Sequence, residues 1–116
     1  MARVVEIRHR NGTLCARCLV ARNAFQRMKG LLGRASLPRD EGILFPRTSS
    51  IHMLFMRFAI DVVFLDGASR VLKVVPALPP WRFAACRGAK TTLELAAGAC
   101  AELGVGPGDE LEIVEV

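Results

Sequence analysis

The amino-acid sequence predicts an α+β fold that is mostly β. Residues 1–116 are expected to form a single compact domain, with a curved antiparallel sheet or an incomplete barrel and one or two short helices. The chain has 116 residues, which is the size of one domain. Apolar residues make up 52% and charged residues 23%, as is typical of folded proteins. Short apolar runs alternate with turn dipeptides, which is the pattern of antiparallel strands.

The N-terminal third is predicted to contain a β-hairpin and a helix. Strands over residues 3–8 and 13–21 flank the dipeptide Asn11-Gly12, which is favoured in tight hairpin turns. Apolar residues then recur with helical spacing over residues 23–33, after a residue that can cap a helix. The helix residues expected to pack on the sheet are Phe25, Met28, Leu31 and Leu32.

The middle of the chain is the most apolar. Residues 43–45 are expected to form a short buried strand. Residues 51–58 and 60–65 are nearly apolar on both faces, so we expect them to pair as a hairpin in the core. The dipeptide Asp66-Gly67 predicts a second hairpin, which leads into a strand over residues 70–75.

Prolines shape the prediction for the C-terminal part. Pro76, Pro79 and Pro80 are expected to prevent further strand pairing, which makes residues 76–90 a long basic loop that carries Trp81. The remaining predicted elements are a strand over residues 91–95, a short helix over 96–103 and a strand over 111–116.

The sequence predicts neither a membrane span nor a secretory signal. The longest apolar stretch, residues 51–65, is interrupted by His52, Arg57 and Asp61 and is too short to cross a bilayer as a helix. Residues 1–20 lack the apolar core of a signal peptide. We therefore expect a cytoplasmic protein whose thiols are reduced.

Charge is distributed unevenly along the chain. The formal net charge is +5, but residues 1–58 carry 11 basic and 3 acidic side chains, whereas residues 59–116 carry 5 and 8. A basic N-terminal half favours contact with nucleic acid or another anionic surface. However, the chain has no tyrosine and one tryptophan, so few rings are expected on which bases could stack, and nucleic acid is disfavoured as a partner. The expected cationic face comprises Arg8, His9, Arg10, Arg17, Arg22, Arg27 and Arg34.

Four cysteines are present, and two of them form the spacing Cys15-x-x-Cys18. A single such pair lacks the second half of a zinc ribbon. If residues 13–21 form a regular strand, positions 15 and 18 point to opposite faces. We therefore expect structural thiols and predict neither a metal site nor a cofactor. The chain also lacks a glycine-rich phosphate loop and a nucleophile elbow.

Three ionisable residues in apolar segments, His52, Asp61 and Glu94, are the candidate catalytic residues. In the predicted hairpin, Asp61 lies opposite Met56 or Arg57, and His52 lies on the order of 13–17 Å from Asp61 along the strands. This separation excludes a pair of His52 and Asp61. Asp61 is instead expected to pair with Arg57 or to accept backbone N–H groups, and His52 is expected to meet Glu94 from another strand.

Five blocks follow one another along the chain: residues 27–34 (RMKGLLGR), 40–45 (DEGILF), 51–66 (IHMLFMRFAIDVVFLD), 93–98 (LELAAG) and 108–109 (GD). Together they resemble the bacterial and archaeal domain-of-unknown-function 192 family, roughly over residues 14–116. The resemblance implies a compact, mostly β domain with short helices, found alone or behind an export signal in relatives, without an agreed biochemical activity. Relatives often carry Thr at the position of Met53 and Pro at that of Ala59. Here Met53 lacks the hydroxyl, and Ala59 is expected to loosen the turn before Asp61.

Three functional hypotheses follow from the sequence. The first is a module that binds a small ligand or a protein partner, with His52, Arg57 and Trp81 as candidate ligand-binding residues and His52 accessible at the rim of a pocket. The second is a small hydrolase-like enzyme that uses His52 with Glu94. The third is binding of nucleic acid or an anionic surface through the Arg-rich N-terminal half. No sequence feature specifies an oligomeric state.

Overall fold

Two β-sheets carry the fold in the computed structural model, which describes residues 3–23 and 30–116. These residues contain nine strands and one short helix. In chain order they are β1 (Arg3–His9), β2 (Gly12–Val20), β3 (Glu41–Pro46), β4 (Ser50–His52), β5 (Ile60–Leu65), β6 (Val71–Leu78), β7 (Phe83–Ala85), β8 (Thr91–Ala96), α1 (Ala99–Leu103) and β9 (Glu112–Glu115).

The large sheet has seven strands in the order β6-β5-β8-β3-β2-β1-β9. Its neighbours are antiparallel except for the parallel pair β2 and β3. The edge strands approach each other where Arg70 and Glu110 form an isolated bridge, but the sheet does not close. The prediction of a curved, mostly β fold is confirmed, whereas a closed barrel is not formed.

The two hairpins predicted from turn dipeptides are both present. β1 pairs with β2, although the turn is formed by Arg10 and Asn11, one residue earlier than expected. β5 pairs with β6 after Asp66, whose Oδ1 accepts the backbone N–H groups of Ala68 (2.8 Å) and Arg70 (3.0 Å). Local turn chemistry therefore determines these connections.

The predicted hairpin of residues 51–58 with 60–65 is wrong. Only Ser50–His52 is a strand, and it pairs with β7 in a separate two-stranded sheet. After it, Met53 and Met56 are both buried and Phe55 between them is exposed, so the apolar residues follow a turn rather than a strand. A continuous apolar run does not by itself reveal its period, which is why the sequence suggested a longer strand.

Strand β6 continues through Pro76 to Leu78, where a long loop was expected. β6 is an edge strand, so a proline can face away from the ladder. The register shifts between the pairs Val62–Val75 and Ile60–Leu78, and Ala77 in this bulge has a φ of 47°. Edge position and bulge together accommodate the proline.

Most of the predicted helix over residues 23–33 lies outside the described residues, including Phe25 and Met28. Residues 30–33 form a turn, and Leu31 within it is buried against the same core as β5. The expected packing of Leu31 is therefore present without a helix at this position.

The Cys15–Cys18 segment departs from regular strand geometry. Ile7 pairs with Cys15 but Val5 pairs with Cys18, so three steps along β2 match two along β1. Because of this bulge, both thiols are buried in the same core, and the prediction that they face opposite sides is wrong. A hydrogen bond between the two thiols lowers the pKa of Cys15 and raises that of Cys18, and burial raises the pKa of Cys18 further.

The two faces of the large sheet bury different residues, so the candidate residues Asp61 and Glu94 lie on opposite sides of the sheet. Successive residues of a strand face opposite sides. Asp61 pairs with Leu95 and shares its face, which α1 covers. Val62 pairs with Glu94, and their face is covered by the turn after β4.

Among the residues described, no helix is long and apolar enough to cross a membrane.

Candidate ligand-binding cleft

Glu94 carries a nearly buried carboxyl group that has no partner among the residues that the structure describes. It lies on β8, inside the large sheet, between Ile43 of β3 and Val62 of β5. Its residue surface is 7% exposed, and no described residue donates a hydrogen bond to it or forms an ion pair with it. Burial raises its pKa to about 7. A buried carboxyl group without a hydrogen-bond partner destabilises the folded state unless another molecule donates a hydrogen bond to it.

Glu94 opens into a cleft of about 180 Å³ between the large sheet and β4. Polar and apolar surface contribute equally to its walls, and the polar side chains come from β4, from Thr48 before it and from Glu94 itself. Besides Glu94, the lining residues are Gly30, Leu31, Leu32, Phe45, Thr48, Ser50, Ile51, His52 and Met56. A cleft in which several polar groups converge beside apolar side chains is a common form of a small-molecule site.

His52 lines the same cleft from the end of β4 and is exposed. Its Nδ1 accepts the backbone N–H of Leu54 at 3.3 Å. In the neutral ring the proton therefore lies on Nε2, which can donate to a ligand. The structure thus brings His52 and Glu94 to one cleft, although within the described part of the chain no hydrogen bond joins them.

Asp61 lies on the opposite face of the sheet and is fully buried. Its carboxylate accepts three backbone N–H groups, from Ala77 (2.9 Å), Gly98 (3.2 Å) and Cys100 (3.0 Å). It therefore holds the β6 bulge and the N-terminal end of α1 in place. This position separates Asp61 from Glu94, and its partners are those of a structural residue.

Arg57 does not pair with Asp61. The predicted cross-strand contact depended on a hairpin that is not formed, and Arg57 instead lies exposed in the turn after β4. Among the ion pairs of the described residues, none involves Arg57. Met53, one of the two departures from the family pattern, is fully buried in the apolar core and does not line the cleft.

Trp81 is exposed beside two other aromatic rings that the sequence analysis did not select. Trp81 is 56% exposed, Phe55 70% and Phe83 69%. The rings of Phe55 and Trp81 meet edge to face with centroids 4.9 Å apart. Phe83 pairs across the strands with His52, so the aromatic group adjoins the cleft. The sequence pattern did not indicate either phenylalanine, because Phe55 lies in a continuous apolar run and the exposure of Phe83 depends on the pairing of β7 with β4.

The N-terminal half is not the free cationic face that the charge count suggested. β9 pairs with β1 and brings the acidic C-terminal end beside the basic N-terminal one. Seven of the described arginines, six of them in the N-terminal half, form ion pairs with carboxylates as a result of this and neighbouring contacts. They are Arg3, Arg8, Arg10, Arg17, Arg34, Arg39 and Arg70.

At this end a buried histidine, His9, contacts a half-buried aspartate, Asp109, and the sequence pattern did not predict this pair. His9 Nε2 lies 2.8 Å from Asp109 Oδ2, and His9 Nδ1 accepts the N–H of Asn11 at 3.2 Å. Asp109 further accepts from Arg10 and from the backbone of Gly106, and the hydrogen bonds with His9, Arg10 and Gly106 hold its pKa well below the usual range. Since both ring nitrogens of His9 are occupied, this group ties the loop before β9 to β1 rather than forming an open site.

The mixed seven-stranded sheet, the two-stranded sheet beside it and the cleft between them define a small β-rich domain. The chain belongs to the domain-of-unknown-function 192 family, described as Uncharacterized ACR, whose model matches residues 5–113. This confirms the resemblance found in the sequence blocks. The family description states no activity.

Related sequences and structures agree with this assignment. A UPF0127 protein of Thermococcus sibiricus is 34% identical over 101 residues, 83% of this chain and 65% of that protein. A UPF0127 protein of Pyrococcus furiosus is 45% identical over 65 residues, 55% of each chain. The matched region therefore spans less than two thirds of either relative.

Two crystal structures share the fold. A Novosphingobium aromaticivorans protein of unknown function superposes with a TM-score of 0.82 at 26% identity, covering 96% of this chain and 84% of that one. A Sinorhizobium meliloti protein, named as a candidate transcription regulator, also gives 0.82 at 26% identity, covering 97% and 94%.

Proposed function

We propose that this protein is a ligand-binding module whose ligand lies in the Glu94 cleft. The observation that carries the proposal is the nearly buried carboxyl of Glu94 at the wall of that cleft, which has no partner within residues 3–23 and 30–116. A fold gains nothing from such a group, since an apolar residue would fill the same position without a desolvation cost. A ligand group that binds the carboxyl explains why a glutamate occupies this position.

The surroundings define the chemistry of the ligand. We expect the ligand to present an ammonium group or another strong hydrogen-bond donor to Glu94, because such groups form strong hydrogen bonds with a desolvated carboxylate. The walls formed by Leu31, Phe45 and Met56 suit a short apolar body. A cleft of about 180 Å³ limits the ligand to a compact molecule, or to the end of a larger one. His52 Nε2 at the rim supplies a second polar contact.

Two probes of matched size test this chemistry: n-butylammonium and butyrate. We expect n-butylammonium to bind with a Kd on the order of 1 mM, as for a good ligand of its size, and to perturb the NMR signals of the cleft residues. Butyrate carries the opposite charge and is expected not to bind. Glu94→Gln, which keeps the shape, should weaken n-butylammonium binding about tenfold. Equal binding of butyrate, or unchanged affinity in Glu94→Gln, would reject the proposal.

The same convergence of side chains favours the second candidate, a hydrolase that uses His52 with Glu94. For this role the carboxyl must orient the imidazole, and Nδ1 of His52 already accepts the N–H of Leu54. An ester hydrolysis assay separates the two functions. Hydrolysis that is lost in both His52→Gln and Glu94→Gln supports the enzyme, whereas turnover equal in all three proteins supports the binding module. The expected cytoplasmic location stays a prediction.

A further inference from the structure

The two-stranded sheet and its flanking turns form a region with a distinctive surface, here called the lobe, residues 47–58 and 79–90. Its exposed large apolar side chains are all aromatic: Phe55, Trp81 and Phe83. Phe55 and Trp81 meet edge to face, at an interplanar angle of 60°, so the two rings are not stacked in parallel on each other. The lobe therefore presents three exposed aromatic rings to its surroundings.

The backbone of the lobe holds two of these rings outward at a conformational cost. Phe55 has a φ of 64° and Trp81 a φ of 69°, a left-handed conformation that bulky residues rarely adopt. Two backbone hydrogen bonds fix the turns, from Trp81 N to Met53 O and from Met53 N to Arg82 O, each 2.8 Å. Strain that the surrounding structure maintains is typical of functional surfaces.

The charge of the lobe has a single sign. Residues 47–58 and 79–90 contain no aspartate or glutamate. Their five basic side chains are exposed, and none forms an ion pair with a described carboxylate. They are Arg47, Arg57, Arg82, Arg87 and Lys90. Arg82 lies between the two exposed rings of Trp81 and Phe83 in sequence, so cation and ring alternate there.

We propose that the lobe binds single-stranded nucleic acid, with bases stacked on Phe55, Trp81 and Phe83 and phosphates contacted by the unpaired arginines. Exposed aromatic rings interleaved with free cations are the combination that such binding requires. An anionic membrane would favour aliphatic side chains as well, and the exposed aliphatic residues Leu72 and Val116 lie outside the lobe. This surface is distinct from the Glu94 cleft, and its occupancy does not depend on a ligand there.

Trp81 provides a direct readout because the chain has one tryptophan and no tyrosine. We expect an oligothymidylate of about 15 nucleotides to quench the fluorescence of Trp81 by stacking. Vesicles of phosphatidylserine and phosphatidylcholine are expected to leave the emission maximum unchanged. A blue shift with vesicles and no response to the oligonucleotide would overturn the proposal in favour of membrane binding. The absence of a response to both would also overturn it.

Matched charge variants test the role of the unpaired cations. Arg57→Gln with Arg82→Gln removes two free charges, whereas Arg3→Gln with Arg70→Gln removes two that are ion-paired. We expect the first pair to weaken oligonucleotide binding about tenfold and to reduce the salt dependence by about two ions. The second pair, with the same net charge, should bind within about twofold of the unmodified protein. Equal losses in both double variants would show that binding follows net charge alone and would reject the lobe as the site.

Discussion

Two regions of the molecule differ in whether their polar groups have partners: the end of the large sheet at β1 and β9, and the lobe around β4 and β7. At the β1–β9 end, arginines meet carboxylates, and both nitrogens of His9 are occupied. In and beside the lobe, the cations have no described carboxylate partner, three aromatic rings are exposed, and the carboxyl of Glu94 is buried without a described donor. Polar groups that stabilise a fold have hydrogen-bond or ion-pair partners within it, so groups without a described partner indicate where the molecule binds a ligand or another molecule.

The largest expected effect concerns a satisfied carboxylate, Asp61. Asp61→Ala leaves three backbone N–H groups without their acceptor, that of Cys100 buried and those of Ala77 and Gly98 partly buried, and we expect it to lower the free energy of unfolding by about 3–5 kcal/mol. Asp61→Asn, which keeps one acceptor oxygen, should cost less. Urea denaturation measures both.

Asp66→Ala is the matched control for Asp61, because Asp66 also accepts two backbone N–H groups but in an exposed turn. Its loss should be much smaller than that of Asp61→Ala. Equal losses at the two positions would contradict the structural role assigned to the buried carboxylate.

Glu94 should behave in the opposite way. Its pKa in the folded protein, about 7, is above the ordinary value of 4.5, so the folded state binds the proton more tightly than the unfolded state. Stability should therefore fall as pH rises from about 4.5 to above 7, by about 3 kcal/mol from this group. Glu94→Gln should remove that slope.

The pH dependence is measured as the difference in unfolding free energy between the two proteins across this range. A Glu94→Gln variant that is less stable than the unmodified protein at pH 8 would show that the carboxylate has a partner and would break the comparison of the two regions.

A smaller effect is expected for the strained backbone of the lobe. Phe55→Gly and Phe55→Ala both remove the ring, but glycine adopts a φ of 64° without cost. We expect the glycine variant to be more stable than the alanine variant by about 1 kcal/mol. Identical thermal unfolding of the two variants would mean that the backbone is not strained at this position.

The smallest effects concern exposed arginines. Arg70→Gln breaks an exposed ion pair with Glu110 and should lower the unfolding free energy by about 0–1 kcal/mol. Arg57→Gln removes a cation without an ion pair and should leave stability unchanged. If Arg57→Gln were the more destabilising substitution, the conclusion that Arg70 contributes to stability through its ion pair and Arg57 does not would be wrong.

Sequence patterns predicted the local features better than the arrangement of the site. The two hairpins follow from turn dipeptides, and the strands over β1, β2, β5 and β8 follow from apolar runs. The lobe could not be predicted, because the run of residues 51–58 has no clear period and Pro76 was taken to end β6. Placing β4 against β7 depends on contacts that are distant in the chain.

The candidate site was predicted in part. His52 and Glu94 were selected as ionisable groups in apolar segments, and they line one cleft. Asp61 was selected for the same reason but lies on the opposite face of the sheet, since neither composition nor spacing shows which face a buried residue occupies before the strand order is known. Phe55 was missed because its exposure arises from a turn of unusual backbone conformation, and Phe83 because its exposure depends on the pairing of β7 with β4.

The central claim is that Glu94 is buried without a partner in the described part of the chain and is available to a cationic ligand. A ¹³C NMR titration of its side-chain carboxyl tests this most directly, first alone and then with n-butylammonium. We expect a pKa of about 7 in the free protein. It should shift towards lower values with n-butylammonium, because a bound cation favours the carboxylate. A pKa near the ordinary 4.5 in the free protein, unchanged by n-butylammonium, would contradict the account.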